Sequence, residues 1–247
     1  MSVRVSAERA EEARAVMLDL FPEGFEEVEV DGELELAAYT TAGGEERLWQ
    51  VFGPGAARDI ETGWAEAWKR FHRPSRIGRL WIGPPWEEPP ADAVTVFIEP
   101  GRAFGTGGHA TTKLALELLL GVPPSSLVDL GCGSGVIAIA AAKLGFAPVV
   151  AVDLDDAAVE AAGANAAAND VEIDVRRADV LNDSLPAADV AVSNIRLAEV
   201  ERVGARLESR SFVTSGYLAS ERPLMPRWEQ AARLEAQGWA ADLFTRA

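Results

Sequence analysis

The feature that most constrains this chain is a glycine-rich stretch between two apolar runs. Residues 128–135 read VDLGCGSG, and an Ala-rich segment then leads to VVAVD at residues 149–153. An apolar run, a glycine loop, a helical run and a second apolar run ending in an acid predict one β-α-β unit. In such a unit, backbone N–H groups at the helix N-terminus meet the polar end of a ligand, and the acid lies beside a ribose.

The spacing of the glycines separates two kinds of nucleotide site. A dinucleotide fingerprint needs G-x-G-x-x-G, whereas this chain has G-x-G-x-G, with Val136 where the last glycine would stand. The shorter pattern after Asp-Leu resembles the S-adenosylmethionine loop of class I methyltransferases. Together with Asp153 it favours an S-adenosylmethionine site over a nicotinamide site. Gly-rich strand–helix turns also occur with no ligand, so the loop alone is a weak signal.

Composition excludes several classes of protein. The chain has 247 residues, 48% of them apolar, but no apolar run reaches the length of a membrane span, so we expect a soluble protein. Residues 1–5 lack the apolar core of a signal peptide, and the single cysteine, Cys132, fits a reducing cytoplasm. With only two histidines there is little material for a His-rich metal site, and we expect no metal.

The net charge of −16 argues against nucleic acid as the main partner, because phosphates repel such a surface. It favours a basic partner, such as a cationic protein, through electrostatic steering. An acidic surface that serves only solubility would have the same composition. Both interpretations stay open at this point.

Residues 1–55 are predicted to form a small α+β domain. Its elements are a strand at 3–5, a helix at 7–20, a hairpin at 25–39 around Asp31-Gly32, and an amphipathic piece at 45–51. Strand, helix, hairpin and helix suggest a ferredoxin-like layer. Residues 56–76 are predicted to form a linker helix, with Trp64 and Trp68 on one face.

Residues 77–247 are predicted to form a doubly wound α/β domain, with a Rossmann-like sheet covered by helices on both faces. Two strands, at 80–82 and 94–98, come first. Alternating elements follow, with strands at 127–130, 149–152, 172–176, 190–193 and 211–214 and helices at 111–120, 136–144, 156–169, 197–207 and 224–237. Residues 239–247 supply at most one final strand.

Ligands of doubly wound sheets bind beyond the carboxyl ends of the strands, where Gly131, Asp153, Asp179 and Asn194 fall. Asp153 can accept from both ribose hydroxyls, or it can cap the next helix. Asp179 can accept from an adenine amino group, or it is a plain loop acid. The amide of Asn194 can face both the methionine end of a cofactor and a substrate amine, or it caps the following helix.

One segment carries a family resemblance. EPGRAFGTGGHATT at residues 99–112 resembles the segment that precedes the glycine loop in the PrmA-type methyltransferases, which modify ribosomal protein L11. The loop at 129–135, VDLD at 152–155, NAAAN at 165–169 and SNI at 193–195 match that family in order and approximate spacing, and WAEAWK at 64–69 resembles its linker helix. The resemblance covers residues 57–216 and implies a class I methyltransferase fold.

The resemblance implies S-adenosylmethionine as the cofactor and S-adenosylhomocysteine as the product. By motif match the family's cofactor contacts fall on Thr112, Gly131, Asp153 and Asn194, and residues 104–107 would close over the cofactor. The residues predicted for the cofactor site are Phe104, Gly105, Thr106, Gly107, Thr112, Asp129, Gly131, Gly133, Gly135, Asp153, Asp179 and Asn194.

The implied reaction is methyl transfer to lysine amines, and also to the N-terminal amine, of ribosomal protein L11. Asn194 would orient the acceptor amine, and His109 would either assist proton removal or only structure its turn. The chain departs from the family pattern in its short N-terminal domain, in Arg196 after the Asn194 strand, and in its C-terminal end. Two alternatives therefore stay open: a methyltransferase for another protein or a small amine, and a degenerate domain that binds the cofactor without catalysis.

Overall fold

The computed structural model describes residues 2–6, 9–21, 25–30, 32–38, 48, 51–52, 73–99 and 107–246. Contacts divide the chain into two units, Met1–Arg73 and Pro74–Ala247. The linker helix expected at residues 56–76, with Trp64 and Trp68, lies almost wholly outside the described residues. No helix in the described ranges is long and apolar enough to cross a membrane.

The first unit contains the predicted strand, helix and hairpin. Its elements are β1 (Ser2–Ser6), α1 (Ala10–Leu20), β2 (Glu26–Val30) and β3 (Glu33–Ala37). The three strands are antiparallel in the order β1-β3-β2, and Val3, Met17 and Leu36 are buried together in the core under α1. Of the amphipathic piece expected at 45–51, the structure describes Leu48, which joins this core, and the exposed Val51.

The second unit begins with a sheet of three short strands, β4 (Ser75–Ile77), β5 (Leu80–Gly83) and β6 (Val94–Phe97). β4 is antiparallel to β5, and β5 is parallel to β6. The sequence predicted β5 and β6 but not β4, which has only three residues. These strands form their own sheet in the order β4-β5-β6, so β6 lies at a sheet edge.

The rest of the second unit is the predicted doubly wound sheet. Its strands are β7 (Leu127–Leu130), β8 (Val149–Asp153), β9 (Asp174–Arg177), β10 (Val190–Asn194), β11 (Ser211–Leu218), β12 (Trp228–Ala236) and β13 (Trp239–Arg246). Its helices are α2 (Ala110–Leu119), α3 (Val136–Lys143), α4 (Asp156–Ala168) and α5 (Leu197–Arg206). The strand order is β12-β13-β11-β10-β7-β8-β9.

The five strands from β9 to β11 are parallel, and the order reverses direction between β7 and β10. Two separate apolar clusters show that helices cover both faces: α2 and α3 contribute to one cluster and α5 to the other. β7 is buried along its whole length, which explains its nearly continuous apolar run. A reversal of this kind opens a crevice at the carboxyl ends of β7 and β10, where ligands of doubly wound sheets bind.

The helix predicted at residues 224–237 is wrong, because that segment forms the strand β12. Its Ala, Glu, Gln, Arg and Leu residues favour helix when taken alone. A tight turn overrides this preference: Gln237 and Gly238 both have positive φ, and β12 folds back antiparallel on β13. β13 also pairs antiparallel with β11, so the strand expected near the C-terminus is present and the sheet is not shortened at this end.

Candidate functional site

The glycine loop leaves β7 at its carboxyl end and turns directly into α3. Gly131 has φ +82°, and a Cβ there would lie 2.6 Å from Ile195 Cγ2, so only glycine fits. The backbone N–H groups of Gly131 and Cys132 both donate to Val152 O, at 2.9 and 3.0 Å. The loop is therefore hydrogen-bonded to β8 on one side and packed against Ile195, just after β10, on the other.

Asp153, at the carboxyl end of β8, supports this loop directly. Its Oδ2 accepts from Gly133 N–H at 2.8 Å, and its Oδ1 accepts from Asp155 N–H at 3.0 Å. Asp155 is the residue that caps α4, since its Oδ1 accepts from Ala157 N–H at 3.0 Å. The capping alternative for Asp153 is therefore excluded, and its half-buried carboxylate keeps acceptor capacity for a ligand.

Asp129 is the most deeply buried acid of this site, with a relative exposure of 1%. Its Oδ2 accepts from Ala138 N–H at 3.1 Å, while its Oδ1 has no hydrogen-bond partner among the described residues. Burial raises the pKa of this carboxyl to about 7; the Ala138 hydrogen bond lowers the pKa, and the charge of Asp153 raises it further. A carboxyl that protonates near neutral pH thus lies behind the glycine loop.

Replacing Asp129 by Asn is expected to remove a pH dependence of stability. The folded-state pKa of about 7 exceeds the ordinary 3.8, so the folded protein binds this proton more tightly than the unfolded chain does. The resulting stabilisation is complete below about pH 4 and is lost as pH rises towards 7, with a slope of about 1.4 kcal/mol per pH unit. Between pH 5 and 8 the parent should lose about 2.5 kcal/mol relative to Asp129→Asn in urea unfolding.

The matched control for this prediction is Asp155→Asn, the same change at an exposed acid whose capping role an asparagine keeps. Its free energy of unfolding relative to the parent should stay nearly constant over the same pH range. A difference between the parent and Asp129→Asn that does not change with pH would contradict the assignment.

Asn194 and Thr112 meet at the crevice between β7 and β10. Asn194 ends β10, and its Nδ2 donates to Thr112 Oγ1 at 3.3 Å. Thr112 is 1% exposed and lies in the first turn of α2, so the amide is held against a fixed partner. The preceding residue, Ser193, donates through Oγ to Leu130 O at 2.8 Å and so fixes the end of β10 beside the end of β7. Two residues that lie far apart in the sequence are thus brought together at the predicted ligand edge.

His109 is the N-cap of α2. Its Nδ1 accepts from Thr111 N–H at 3.4 Å and lies 2.8 Å from Thr111 Oγ1. The imidazole ring packs edge-on against Trp239, with 5.0 Å between ring centroids. This geometry supports the turn-structuring alternative for His109 over a role as a base. The described residues contain no group of three or more His, Cys, Asp or Glu side chains placed to hold a metal.

Asp179, expected near an adenine amino group, is engaged in its own turn. Its Oδ1 accepts from Leu181 N–H at 2.8 Å and its Oδ2 from Asn182 Nδ2 at 2.6 Å. The hydrogen bond from Asn182 is the main reason that the pKa of Asp179 lies below its usual range. Like Asp153, Asp179 keeps acceptor capacity beyond these bonds, so both alternatives for it stay open.

Of the loop at residues 104–107, which was predicted to close over the cofactor, the structure describes Gly107. Phe104, Gly105 and Thr106 lie outside the described residues. Gly107 is described and buried, and a Cβ there would approach Ile82 Cγ2 to 2.5 Å.

Burial raises the pKa of the Cys132 thiol, which keeps it protonated and unsuited to nucleophilic chemistry.

The NAAAN motif at residues 165–169 was recognised from the sequence only as a match to the PrmA family, and the hydrogen bonds of its two asparagines were not predicted. Asn165 Nδ2 donates to Ser134 O in the glycine loop at 2.9 Å, and Asn165 Oδ1 accepts from Glu99 N–H at 3.1 Å. The available signal was Asn165 in the interior of an Ala-rich helical segment, because Asn is a poor residue for a helix interior, with a second asparagine four residues later.

Comparison with known families agrees with this geometry. The family model described as ribosomal protein L11 methyltransferase (PrmA) matches residues 23–240. The chain belongs to this family. The match spans most of both units, so membership rests on far more than the glycine loop.

Individual relatives of the PrmA family give the extent of the likeness. A ribosomal protein L11 methyltransferase of Symbiobacterium thermophilum is 41% identical over 199 residues, which cover 74% of this chain and 66% of that protein. One of Pelobacter propionicus is 41% identical over 206 residues, covering 74% of this chain and 67% of the relative. The alignments thus span about two thirds of the length of these two PrmA relatives.

A solved PrmA-type structure shows the same fold. The crystal structure of the ribosomal protein L11 methylase from Lactobacillus delbrueckii subsp. bulgaricus superposes with a TM-score of 0.63 at 30% identity. It covers 71% of this chain, and 99% of the Lactobacillus chain is matched. The likeness of backbone and sequence together places this protein's methyltransferase fold within the family.

Proposed function

We propose that this protein transfers methyl groups from S-adenosylmethionine to amines of ribosomal protein L11, with lysine side chains as the main acceptors. The observation that carries the proposal is the meeting of three features at one edge of the sheet. The glycine loop, Asp153 and the Asn194–Thr112 pair all lie at the carboxyl ends of neighbouring strands, around the reversal between β7 and β10. Membership of the PrmA family supports the substrate.

The residues present fit this cofactor. The absence of a side chain at Gly131 lets the loop pack against Ile195, and the loop leads into the N-terminus of α3, where backbone N–H groups can meet the polar end of a ligand. The carboxylate of Asp153 offers about four lone-pair positions, of which two accept backbone N–H groups, so two remain for ribose hydroxyls. Asn194, with Thr112 behind it, would face the methionine end. When bound, S-adenosylmethionine supplies an activated methyl group on a sulfonium.

The residues of the chain then have to select and orient the acceptor. At pH 7 fewer than about one lysine amine in a thousand is neutral, because the free pKa is about 10.4. A desolvated approach to the site favours the neutral amine. The amide oxygen of Asn194 can accept a hydrogen bond from that amine, which would direct its lone pair. Orientation rather than acid–base chemistry is then the main catalytic requirement.

Two observations weaken the alternative of a degenerate domain that binds the cofactor without catalysis. The C-terminal hairpin of β12 and β13 is complete and continues the sheet from β11. The Arg196 side chain is 85% exposed, and its Nη2 lies 2.5 Å from Glu199 Oε1 in the first turn of α5, so its charge has a local partner. Action on another protein or a small amine remains the competing proposal.

Methyl incorporation separates these proposals. Purified protein is incubated with methyl-labelled S-adenosylmethionine and ribosomal protein L11, and the intact mass of the product is measured. The proposal expects added methyl groups on L11 and their loss when its amines are acetylated beforehand. Label that enters a small amine but not L11 would favour the competing proposal, and no label in any acceptor would favour a binding domain. The reaction is proposed to take place in the cytoplasm, where ribosomal proteins are made.

Asp153→Ala is expected to weaken S-adenosylmethionine binding by roughly 1–3 kcal/mol, the usual cost of leaving buried polar groups without partners. The change removes the proposed ribose acceptor and also releases Gly133 N–H. Isothermal titration calorimetry measures the affinity. Asp155→Ala is the matched control, because it removes a neighbouring carboxylate that caps α4 and should lower stability by about 1 kcal/mol without changing the affinity. Equal affinity of Asp153→Ala and the parent would contradict the assignment.

A further inference from the structure

Asn165 near the end of α4 and Asn169, the C-cap residue of that helix, hold two separate segments in place. Asn165 joins Ser134 O of the glycine loop to Glu99 N–H, as described above. Asn169 Oδ1 accepts from Phe97 N–H at 2.8 Å, and its Nδ2 donates to Phe97 O at 2.6 Å. Asn169 Nδ2 also donates to Asn165 O at 2.8 Å. Both amides therefore use their donors and acceptors within the described residues.

These bonds replace the strand pairing that β6 lacks. β6 pairs with β5 on one side only, and Ile98 N–H, just beyond β6, still donates to Gly83 O at the end of β5. Phe97, one residue earlier, directs its N–H and C=O to the opposite side, as alternation along a strand requires. The amide of Asn169 meets both groups, in the way that a neighbouring strand would. The small sheet is thereby attached to the doubly wound sheet through side chains of α4.

Both asparagines are nearly fully buried, at 4% and 2% exposure. Asn165 lies inside the Ala-rich helix α4, where asparagine is less favourable than alanine, and Asn169 is the C-cap residue of that helix. A buried amide without partners is strongly unfavourable at either position. The bonds that the two amides make to other segments therefore account for their presence.

We infer that Asn165 and Asn169 are positioning residues for the cofactor site, which clamp the glycine loop and the end of β6 in one fixed arrangement. The inference rests on the proposed function, since it takes the glycine loop as the cofactor-binding element. Asn165 acts on the loop at Ser134, and Asn169 holds the strand from which Glu99 extends to Asn165. A loop held in its binding conformation loses less conformational entropy when the ligand binds, so the clamp increases affinity by preorganisation.

The test compares cofactor affinity with stability in full-length protein. Asn165→Ala should weaken S-adenosylmethionine binding roughly 10-fold in calorimetry, the effect of losing hydrogen bonds to two backbone groups, Ser134 O and Glu99 N–H. Asn169→Ala leaves the bond to Ser134 intact and should weaken binding by a smaller factor. Because the two residues are in contact, their effects should not simply add in the double variant. Amide hydrogen exchange should speed up at Glu99 in the first variant and at Phe97 in the second.

Ser126→Ala is the matched control, because it also removes side-chain bonds that tie two segments together. Ser126 Oγ accepts from Asp189 N–H at 2.8 Å and donates to Asp189 Oδ2 at 3.0 Å, at the amino ends of β7 and β10. This variant should lose melting temperature while its cofactor affinity stays at the parental value. Measurements are made at a temperature where near-ultraviolet circular dichroism shows every variant folded. Should Asn165→Ala not fold, Asn165→Ser removes the same amide with a smaller loss of volume.

Two results would overturn the inference. The first is faster exchange at Glu99 and Phe97 with unchanged cofactor affinity, which would make the asparagines purely structural. The second is an equal loss of affinity in Ser126→Ala, which would make the effect a general consequence of destabilisation. If the parent protein binds the cofactor but does not methylate L11, the proposed function is contradicted. The inference about Asn165 and Asn169 is then still decided by the cofactor affinities of the variants. A parent that does not bind S-adenosylmethionine would overturn both.

Discussion

Removal of residues 1–55 is expected to abolish methylation of intact ribosomal protein L11 while S-adenosylmethionine binding is retained. The glycine loop, Asp153 and the Asn194–Thr112 pair all belong to the unit Pro74–Ala247, so the proposed cofactor site does not include the deleted residues. Residues 1–70 contain 16 acidic and 7 basic side chains, a balance suited to docking a basic ribosomal protein. Calorimetry with the cofactor and label incorporation into L11 measure the two effects separately.

Charge and salt distinguish docking from a general loss of structure. Exposed charges are screened within about 10 Å at 0.1 M salt, so added salt should lower the rate of L11 methylation by the parent. Glu33→Lys reverses an exposed charge in the first unit, and Glu229→Lys makes the same change at an exposed position of β12. The first should raise the KM for L11 more than the second, with cofactor affinity unchanged in both. A truncated protein that methylates L11 at the parental rate would show that the N-terminal unit is not the recognition element.

Local signals in the sequence were sufficient for most of the doubly wound sheet. The buried parallel strands β7, β8 and β10 read as apolar runs, and helical patterns follow each of them, whereas the edge strand β9 is largely exposed and reads DVRR. The Asp31-Gly32 pair likewise predicted the hairpin of β2 and β3, which the structure confirms. In these places the pattern, the turn residues and the tertiary environment favour the same structure, which is the condition under which sequence reasoning works.

The failure at residues 224–237 arose where those levels disagree. The residues of β12 favour helix when they are considered alone. The strand is stabilised by its pairing with β13, and a short stretch of sequence does not show that pairing. The Gln237-Gly238 turn was the available local signal. β4 was missed because three residues are too few to show the alternation of apolar and polar residues that indicates a strand. Strand predictions alone also do not show that β4, β5 and β6 form a sheet of their own.

The candidate site divides in the same way. The glycine loop and Asp153 could be proposed from the sequence because each has a local pattern, a glycine spacing in one case and an acid at the end of an apolar run in the other. The pairing of Asn194 with Thr112, and the bonds from Asn165 to Ser134 and Glu99, depend on contacts between segments that are far apart in the sequence. His109 shows the opposite case, in which a residue with catalytic potential caps α2 through its Nδ1 and packs its ring against Trp239.

Asn194→Ala is expected to lower the single-turnover rate by about 10²-fold, a loss typical of small misplacements of reacting groups. Its effect on cofactor affinity should be much smaller, because the glycine loop and Asp153 still hold the remainder of the cofactor. The reason lies in the proposed double contact: one amide faces the methionine end, and its oxygen orients the acceptor amine. Rapid-quench measurement of methyl transfer at saturating cofactor, beside calorimetric affinity, separates the two contributions.

Thr112→Val tests whether the amide of Asn194 must be held in place to act. Valine keeps the volume of threonine but removes Oγ1, the acceptor 3.3 Å from Asn194 Nδ2. If threonine acts through the asparagine, Thr112→Val should slow transfer in the parent but have little further effect in Asn194→Ala, so the two changes are strongly non-additive. Independent effects of the two substitutions would mean that each residue contacts the cofactor by itself. A loss of affinity in Asn194→Ala with an unchanged single-turnover rate would restrict Asn194 to cofactor binding.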